Sequence, residues 1–410
     1  MGNLTTPPSV QKLQSALHAK AKGEPGYRFY LLYDKVWRAD VLEYAYRCCK
    51  ANKGVAGVDG QRFEDIEAYG EERWLGELAQ RLRSRTYEPQ AVRRVWLPKP
   101  NSDKLRPLGV PTITDRTVQM AALLMLDPIT QVVEADLSGY FDTIPHAELM
   151  KCVARRVIDR HIMRLLKAWL VAPVEDNDGK GGKTLSRANR NNKRGTPQGS
   201  PISPLMSNLY MRRFIEGWRR LGFEQRWSAH IVNYADDFVI CCKRGADDAM
   251  AAMRAIMKRL KLTVNEDKTH LCQIPRERFD FLGYTFGRCY SRKDGHAYIG
   301  TRPSKKSINR IVVSISEVTD RRMGLLDAEE IVGQLNRKLT GWANYFCLGP
   351  VSPAYHLLDS HVRQRLRRWL CKKHKVAGTG TSRFPDQYLH EELGLVHLAP
   401  RTHDLPWAKA

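Results

Sequence analysis

The sequence lacks paired metal-type cysteines and long apolar runs. Its nine cysteines include no C-x-x-C pair, which argues against a structural zinc site and for reduced thiols in a cytoplasmic protein. No stretch of about 18 or more apolar residues occurs, and the polar start MGNLTTPPSVQKLQ has no apolar signal core. We therefore expect no membrane span, no secretion signal and no membrane partner.

Acidic residues are also in short supply. The 410 residues include 67 Lys and Arg against 44 Asp and Glu, so the formal net charge is +23. A globular protein this basic usually binds a polyanion, because each neutralised phosphate releases condensed counterions. Composition alone leaves a ribosomal-like or merely soluble basic protein equally open. The length and the 42% of apolar residues predict two or three domains with sizeable cores.

Hydrophobic periodicity predicts a mixed α+β region before a helical one. The predicted helices of the first region are Ala39 to Lys53, Arg116 to Leu126, Ser203 to Leu221 and Asp247 to Leu260. Its predicted strands are two around the turn in RRVWLPKPNSDKLRPLGVPT, then Val132 to Leu137, the hairpin 231–235 and 238–242, and Phe279 to Phe286. The stretch Glu175 to Arg194 is predicted to be a solvated loop or a loose hairpin.

Two further helices are predicted after about Pro303. The first has Asp327 at its N-cap with Glu330 as the capping partner. The second runs from Ser360 to Lys375 and turns seven cations outward, namely Arg363, Arg365, Arg367, Arg368, Lys372, Lys373 and Lys375. We expect this face to bind nucleic acid through Arg365, Arg367, Arg368 and Lys372, with a plain solvated face as the alternative.

Carboxylates stand beside two apolar strands. Asp236 and Asp237 separate the β-rich runs IVNYA and FVICC. In VVEADLSGYFD, Asp136 lies at the C-terminal end of the predicted buried strand. Neighbouring carboxylates raise each other's pKa unless a cation lies between them, and a divalent metal is the natural cation. A plain exposed hairpin end is the alternative for the pair. If the strands are neighbours, the three carboxylates can hold two Mg²⁺ ions for nucleotidyl transfer.

The ordered motifs of the chain resemble those of the group II intron reverse transcriptase/maturase family. From the N-terminus they are KGVAGVDG, VWLPKPNSDKLRPLGVPTITDRTVQ, ADLSGYFD, RGTPQGSPISPLMSNLYM, YADDFVI, LTVNEDKTH, FDFLGYTF, RPSKKSINRI and LTGWANYF. They resemble, in turn, the N-terminal extension, the fingers, the first catalytic motif, the nucleotide-binding motif, the second catalytic motif, the following palm motif, the primer grip and two parts of the thumb or maturase region. A lone YADD is moderately specific, whereas this ordered set, which covers most of the chain, is highly specific.

The resemblance implies a catalytic centre. Asp136, Asp236 and Asp237 match the carboxylates that hold the two Mg²⁺ ions. Phe141 matches the steric gate, whose ring crowds a ribose 2′-hydroxyl and favours deoxynucleotides. Its alternative role is that of an ordinary core aromatic.

The resemblance also implies a substrate site. Lys99 and Arg106 match fingers cations that grip the triphosphate, with plain solvated cations as the alternative. Gln198 and Gly199 match residues beside the incoming sugar and the template, where glycine allows close backbone approach. Lys268 matches a lysine that protonates the leaving group.

The chain departs from the family pattern in two places. The family commonly carries a metal-binding endonuclease region after the maturase region, and the resemblance here is to members that lack it. Between LDPITQ and VVEADLSGYFD the family has a few dozen residues with a Y-x-x-RPGR-like motif, and that block is absent here. We expect the loss to weaken template contacts and polymerase activity while leaving RNA binding intact.

The implied fold is α+β, a right-hand polymerase with fingers, palm, a helical thumb or maturase region and a basic C-terminal tail. Its predicted domains are 1–130 (N-terminal extension and fingers), 131–302 (palm), 303–375 (thumb or maturase region) and 376–410 (a nucleic-acid-binding tail). The implied function is RNA-directed DNA synthesis, with binding of group II intron RNA for splicing and mobility. Its partners would be that RNA, an RNA template, a DNA primer and deoxynucleoside triphosphates. The alternatives are an RNA-binding maturase with impaired polymerase activity and a reverse transcriptase of the retron or phage-defence type.

Overall fold

The computed structural model describes residues 4–52, 54–98, 105–129, 140–177, 182–197, 199–234, 237–266, 269–291 and 294–405. The chain divides into two compact units, Met1–Thr269 (unit 1) and His270–Ala410 (unit 2), each with its own apolar core. This division after Thr269 precedes the palm–thumb boundary predicted at residue 302. The residues 270–302, predicted as palm, therefore belong to the same unit as the helices predicted as thumb. In the described ranges no helix is both long enough and apolar enough to cross a membrane.

Unit 1 is mostly helical. Its helices are α1 (Pro8–Gly23), α2 (Tyr33–Val36), α3 (Ala39–Ala51), α4 (Phe63–Tyr69), α5 (Glu71–Arg83), α6 (Ile113–Leu126), α7 (Tyr140–Thr143), α8 (His146–Ala154), α9 (Arg160–Leu170), α10 (Ala188–Asn192), α11 (Ser203–Arg220), α12 (Phe223–Trp227) and α13 (Ala246–Arg259). The helix predicted from Arg116 begins three residues earlier, because the Thr112 hydroxyl caps it by accepting from the Asp115 N–H at 3.1 Å.

The strands of unit 1 form two sheets. The strands are β1 (Val92–Pro98), β2 (Leu105–Val110), β3 (Val174–Asn177), β4 (Lys183–Ser186), β5 (Ala229–Tyr234) and β6 (Asp237–Cys242). The first sheet has the order β2-β1-β3-β4, with β1 antiparallel to β2 and parallel to β3. Strands β3 and β4 pair antiparallel, so the predicted loop is a hairpin over those residues. The predicted β5–β6 hairpin is confirmed. The predicted strand Val132 to Leu137 lies outside the described residues.

Unit 2 opens with a three-stranded sheet. Its strands are β7 (Phe279–Phe281), β8 (Tyr284–Tyr290) and β9 (Ala297–Pro303), in that order and antiparallel. The single strand predicted from Phe279 to Phe286 is therefore wrong. Leu282 and Gly283 have φ values of 51° and 80°, which reverses the chain in a two-residue turn. The apolar run conceals the turn, because a leucine occupies one of its two positions.

Three long helices complete unit 2. They are α14 (Lys305–Val318), α15 (Ala328–Tyr345) and α16 (Ser352–Lys373). Asp327 occupies the N-cap position of α15, but its side chain makes no capping hydrogen bond there, so the predicted capping pair is wrong. Asp327 instead lies 3.7 Å from the ammonium group of Lys373. Helix α16 begins eight residues before the predicted start, with a proline in its first turn.

The described part of the predicted C-terminal tail belongs to the core of unit 2. Phe384, Leu389, Leu395 and Leu398 are buried in the same cluster as the apolar face of α16. Buried Asp359 on α16 accepts hydrogen bonds from the N–H groups of Leu398 and Ala399, both at 2.9 Å. The predicted boundary at residue 375 is therefore not a break in the packing.

Candidate nucleotide site and nucleic-acid surface

The β5–β6 hairpin carries one of the three predicted metal ligands. Asp237 is the first residue of β6, pairs across the hairpin with Tyr234, and is exposed. Asp136 and Asp236 lie outside the described residues. Within the described ranges, no group of three His, Cys, Asp or Glu side chains is arranged to hold a metal ion. The hairpin itself is built as the sequence predicts, and it presents Asp237 at its end.

Helix α11 fixes this hairpin in unit 1. The Phe214 ring on α11 lies 5.4 Å from the Phe238 ring of β6. The Trp218 indole N–H donates to the carbonyl of Ala229, at the start of β5, at 2.9 Å. The same helix accepts, at the Ser207 carbonyl, a 2.6 Å hydrogen bond from the buried Tyr140 hydroxyl. Helix α11 therefore holds the hairpin and α7 on one support.

Phe141, the predicted steric gate, lies on α7 against the loop 195–200. Its carbonyl accepts from the Thr196 N–H at 2.6 Å, and the Ile144 carbonyl accepts from the Gly195 N–H at 2.9 Å. Its neighbours Tyr140 and Ile144 are buried in the core, whereas Phe141 is half-buried and not among the core residues. This placement disfavours the core-aromatic alternative.

Gly199 brings the same loop against β2. It has a φ of +101°, and a Cβ there would lie 2.6 Å from the Gly109 carbonyl oxygen and 2.8 Å from Leu108 Cδ1. Both the backbone conformation and the space therefore require glycine. Arg106 is in β2, opposite Leu97 of β1. Strand β2, the loop and α7 thus meet, and the roles of Arg106, Gly199 and Phe141 there stay predictions. Lys99, Gln198 and Lys268 lie outside the described residues.

We call the place where β2, the loop and α7 meet the nucleotide corner, and three of its polar residues were not predicted from the sequence. The hydroxyls of Thr196 and Ser200 are buried without a hydrogen-bond partner among the described residues. The His146 ring hydrogen-bonds the Gly195 carbonyl at 2.7 Å, and burial lowers its pKa despite that bond. Small hydroxyl residues in a loop give no sequence signal, although their position beside Gln198 could have drawn attention to them.

Helix α16 differs from its prediction. The Arg365 guanidinium donates to the Thr319 hydroxyl at 3.0 Å and to the Ser316 carbonyl at 2.8 Å, both at the end of α14. Arg367 donates to the Phe384 carbonyl at 2.8 Å and pairs with Asp386. Their predicted outward orientation is therefore wrong, because both tie α16 to other parts of unit 2.

Two of the four predicted nucleic-acid ligands on α16 do point outward. Arg368 and Lys372 are exposed and four residues apart, so they lie on one face of the helix. They remain predicted nucleic-acid ligands.

The comparisons with known proteins agree with this arrangement. A model of the reverse transcriptase (RNA-dependent DNA polymerase) family matches residues 127–286, and a model of the group II intron maturase-specific domain matches residues 308–387. The later part of unit 1, with the β5–β6 hairpin, and the start of unit 2 thus match the polymerase class, and the long helices of unit 2 lie in the maturase-specific match.

Relatives span both regions. Protein YkfC of Escherichia coli (strain K12) is 30% identical over 371 residues, covering 73% of this chain and 94% of YkfC. Group II intron-encoded protein LtrA of Lactococcus lactis subsp. cremoris is 25% identical over 410 residues, covering 77% of this chain and 65% of LtrA. A putative COX1/OXI3 intron 1 protein of Saccharomyces cerevisiae is 24% identical, and the match covers 38% of it. The chain belongs to the group II intron reverse transcriptase/maturase family, in which RNA-directed DNA synthesis accompanies intron splicing and mobility.

Proposed function

We propose that this chain extends a DNA primer on an RNA template with Mg²⁺ and deoxynucleoside triphosphates, and that it binds a group II intron RNA. The observation that supports this most strongly is the meeting of β2, the loop 195–200 and α7 beside the helix that holds the β5–β6 hairpin. None of the nine cysteines, all of which the structure describes, forms a disulfide, which supports a cytoplasmic location.

Asp136, Asp236 and Asp237 are the proposed metal ligands. Carboxylate oxygens are the hard donors that Mg²⁺ prefers, and the exposed position of Asp237 leaves its carboxylate accessible. When bound, the two ions neutralise charge on the triphosphate and increase the reactivity of the primer hydroxyl.

The remaining residues bind and orient the substrate. Lys99 and Arg106 bind the triphosphate, and Phe141 excludes a ribose 2′-hydroxyl. Gln198 and Gly199 position the sugar and the template. Lys268 gives a proton to the leaving pyrophosphate.

Primer extension on an RNA template tests this proposal. Asp236→Asn should lower the rate by at least roughly 100-fold, because a lost metal ligand removes charge stabilisation from the transition state. RNA affinity should stay near that of the parent. The matched control is Asp34→Asn, which removes an exposed carboxylate paired with its neighbour Lys35. A D236N variant as active as D34N would refute the metal assignment.

A maturase with weak polymerase activity is the second candidate. The alignment with LtrA spans 410 positions but takes in 77% of this chain, so LtrA has residues without a counterpart here. The block before Val132 is the predicted place of such an absence. Inserting a relative's block between Gln131 and Val132 should lengthen the primer-extension products. Unchanged length and yield would show that the short form is complete.

A further inference from the structure

A cleft in unit 1 gathers four arginines from three separate segments. Its volume is about 520 Å³. The arginines that line it are Arg85, which follows α5, Arg164 on α9, and Arg187 and Arg190 at α10. The arginines are exposed, whereas the apolar floor, which includes Leu165 and Ala172, is buried. We call this feature the arginine cleft.

The arginine charges of the cleft have no carboxylate partner among the described residues. Over the described ranges, none of its four guanidiniums has a carboxylate oxygen within 4.0 Å, and Glu88 is the one carboxylate among the lining residues. Elsewhere in the unit, arginines commonly pair: Arg94 with Asp176, Arg213 with Glu148, and Arg254 with Glu266. Four unpaired cations around one cavity create a positive potential that a bound anion would relieve.

Hydrogen bonds fix the start of α9 and the Tyr87 side of the cleft. Asp159 accepts from the N–H groups of Leu32 and Tyr33 through one carboxylate oxygen, and from those of His161 and Ile162 through the other, at 2.8–3.2 Å. This holds the start of α9 against the segment before α2. The Tyr87 hydroxyl in the cleft wall donates to buried Asp115 at 2.6 Å. This part of the cleft is therefore formed before any ligand arrives.

His161 and Tyr33 supply an aromatic wall. Their ring centroids are 5.2 Å apart, and both rings line the cleft. Burial lowers the pKa of His161, and the charges of Arg85, Arg160 and Arg164 lower it further. A phosphate in the cleft would oppose that effect and raise the pKa.

We propose that the arginine cleft binds the phosphate backbone of structured RNA, at a contact surface separate from the nucleotide corner. The inference rests on the proposed function, because it assumes that the chain binds RNA. Guanidinium groups match phosphate in bidentate geometry, and cations on three segments suit a continuous polyanion better than one small ion. The aromatic wall suits an unpaired base next to that backbone.

Salt-dependent binding of a fluorescein-labelled RNA hairpin to the full chain tests the proposal. The site variant R164Q/R187Q/R190Q should bind at least roughly tenfold more weakly near 0.1 M salt and lower the slope of log affinity against log salt by about 2. The control R155Q/K258Q/R259Q removes the same charge from exposed positions of unit 1 outside the cleft. Equal losses in the two variants would overturn the proposal.

A second measurement reports on the cleft itself. NMR titration of His161, assigned with an H161N variant, should show its pKa rising when the RNA hairpin is added to the parent protein, and not when it is added to the site variant. A pKa unmoved by saturating hairpin would also overturn the proposal. Primer extension distinguishes a failure of the cleft proposal from a failure of the proposed function. If the parent binds the hairpin and extends primers, but the site and control variants bind equally, only the arginine-cleft proposal is wrong. If the parent neither binds the hairpin nor extends primers, the proposed function is wrong as well.

Discussion

The nucleotide corner of unit 1 and helix α16 of unit 2 were both predicted to contact phosphates, yet their residues make different kinds of contact. In the corner, the Thr196 N–H donates to the Phe141 carbonyl of α7, and Gly199 lies close against Gly109 of β2. On α16, Arg365 and Arg367 are held by carbonyl, hydroxyl and carboxylate oxygens of unit 2. Backbone contacts bring the segments of the corner together, whereas Arg365 and Arg367 take structural roles because acceptors from other segments of unit 2 lie within reach.

The largest effect expected from this comparison is on stability. Arg367→Gln should lower the free energy of unfolding by about 3 kcal/mol, because its side chain is 11% exposed, the change leaves the Phe384 carbonyl without its donor, and Asp386 keeps only Arg363 of its two arginine partners. Arg368→Gln, one residue along the helix and exposed, is the matched control and should be close to neutral. Urea denaturation measures both. Equal stability of the two variants would contradict a structural role for Arg367.

The carboxylate that holds the arginine cleft in place should give the next largest effect. Asp159→Asn should cost about 2 kcal/mol, because an amide offers one acceptor oxygen to four backbone donors. Burial alone would raise the pKa of Asp159, but the four backbone hydrogen bonds lower it overall. Its stabilisation is therefore present above the ordinary aspartate pKa of about 3.9 and lost as the pH falls through the lower folded value.

Unfolding measured from neutral pH into the acid range checks this sign. The difference between the parent and D159N should be greatest near neutrality and shrink in acid. D34N, which alters an exposed carboxylate, is the control. A difference that grows in acid would refute the assignment of the four donors.

A smaller effect concerns the gate. Phe141→Ala should reduce the preference for deoxynucleotides over ribonucleotides roughly tenfold or more, since the lost ring opens space for the 2′-hydroxyl. Phe141→Tyr keeps the ring and should retain the preference. Competitive incorporation by the full chain measures both variants. If an active F141A variant still prefers deoxynucleotides as strongly as the parent, Phe141 has only a packing role.

The smallest effect separates the outward cations of α16 from the structural ones. R368Q/K372Q should lower the slope of log RNA affinity against log salt by about 1 to 2. R321Q/R322Q removes the same charge from another exposed part of unit 2 and should leave the slope nearer that of the parent. Similar slopes in the two variants would place the RNA surface of this unit elsewhere.

Local patterns predicted many of the elements. The helices beginning at Ala39 and Ser203 and the hairpin with Asp237 lie where periodicity and β-rich runs indicate. The turn at Leu282 and Gly283 was missed, because a leucine with positive φ is a conformation that propensity does not favour. The buried start of α6 was missed for a related reason: its cap depends on one threonine hydroxyl.

The sequence by itself determined the family, the order of the motifs and the residue types of the corner, because motif spacing can be read along the chain without knowing which residues are in contact. The tertiary structure alone decided which cations are available to a ligand. Charge is a property of composition, but whether a guanidinium meets a carbonyl, a carboxylate or solvent depends on segments distant in the chain. Arg367 and Arg187 are alike in the sequence, yet Asp386 pairs with the first, and the second lines an open cleft.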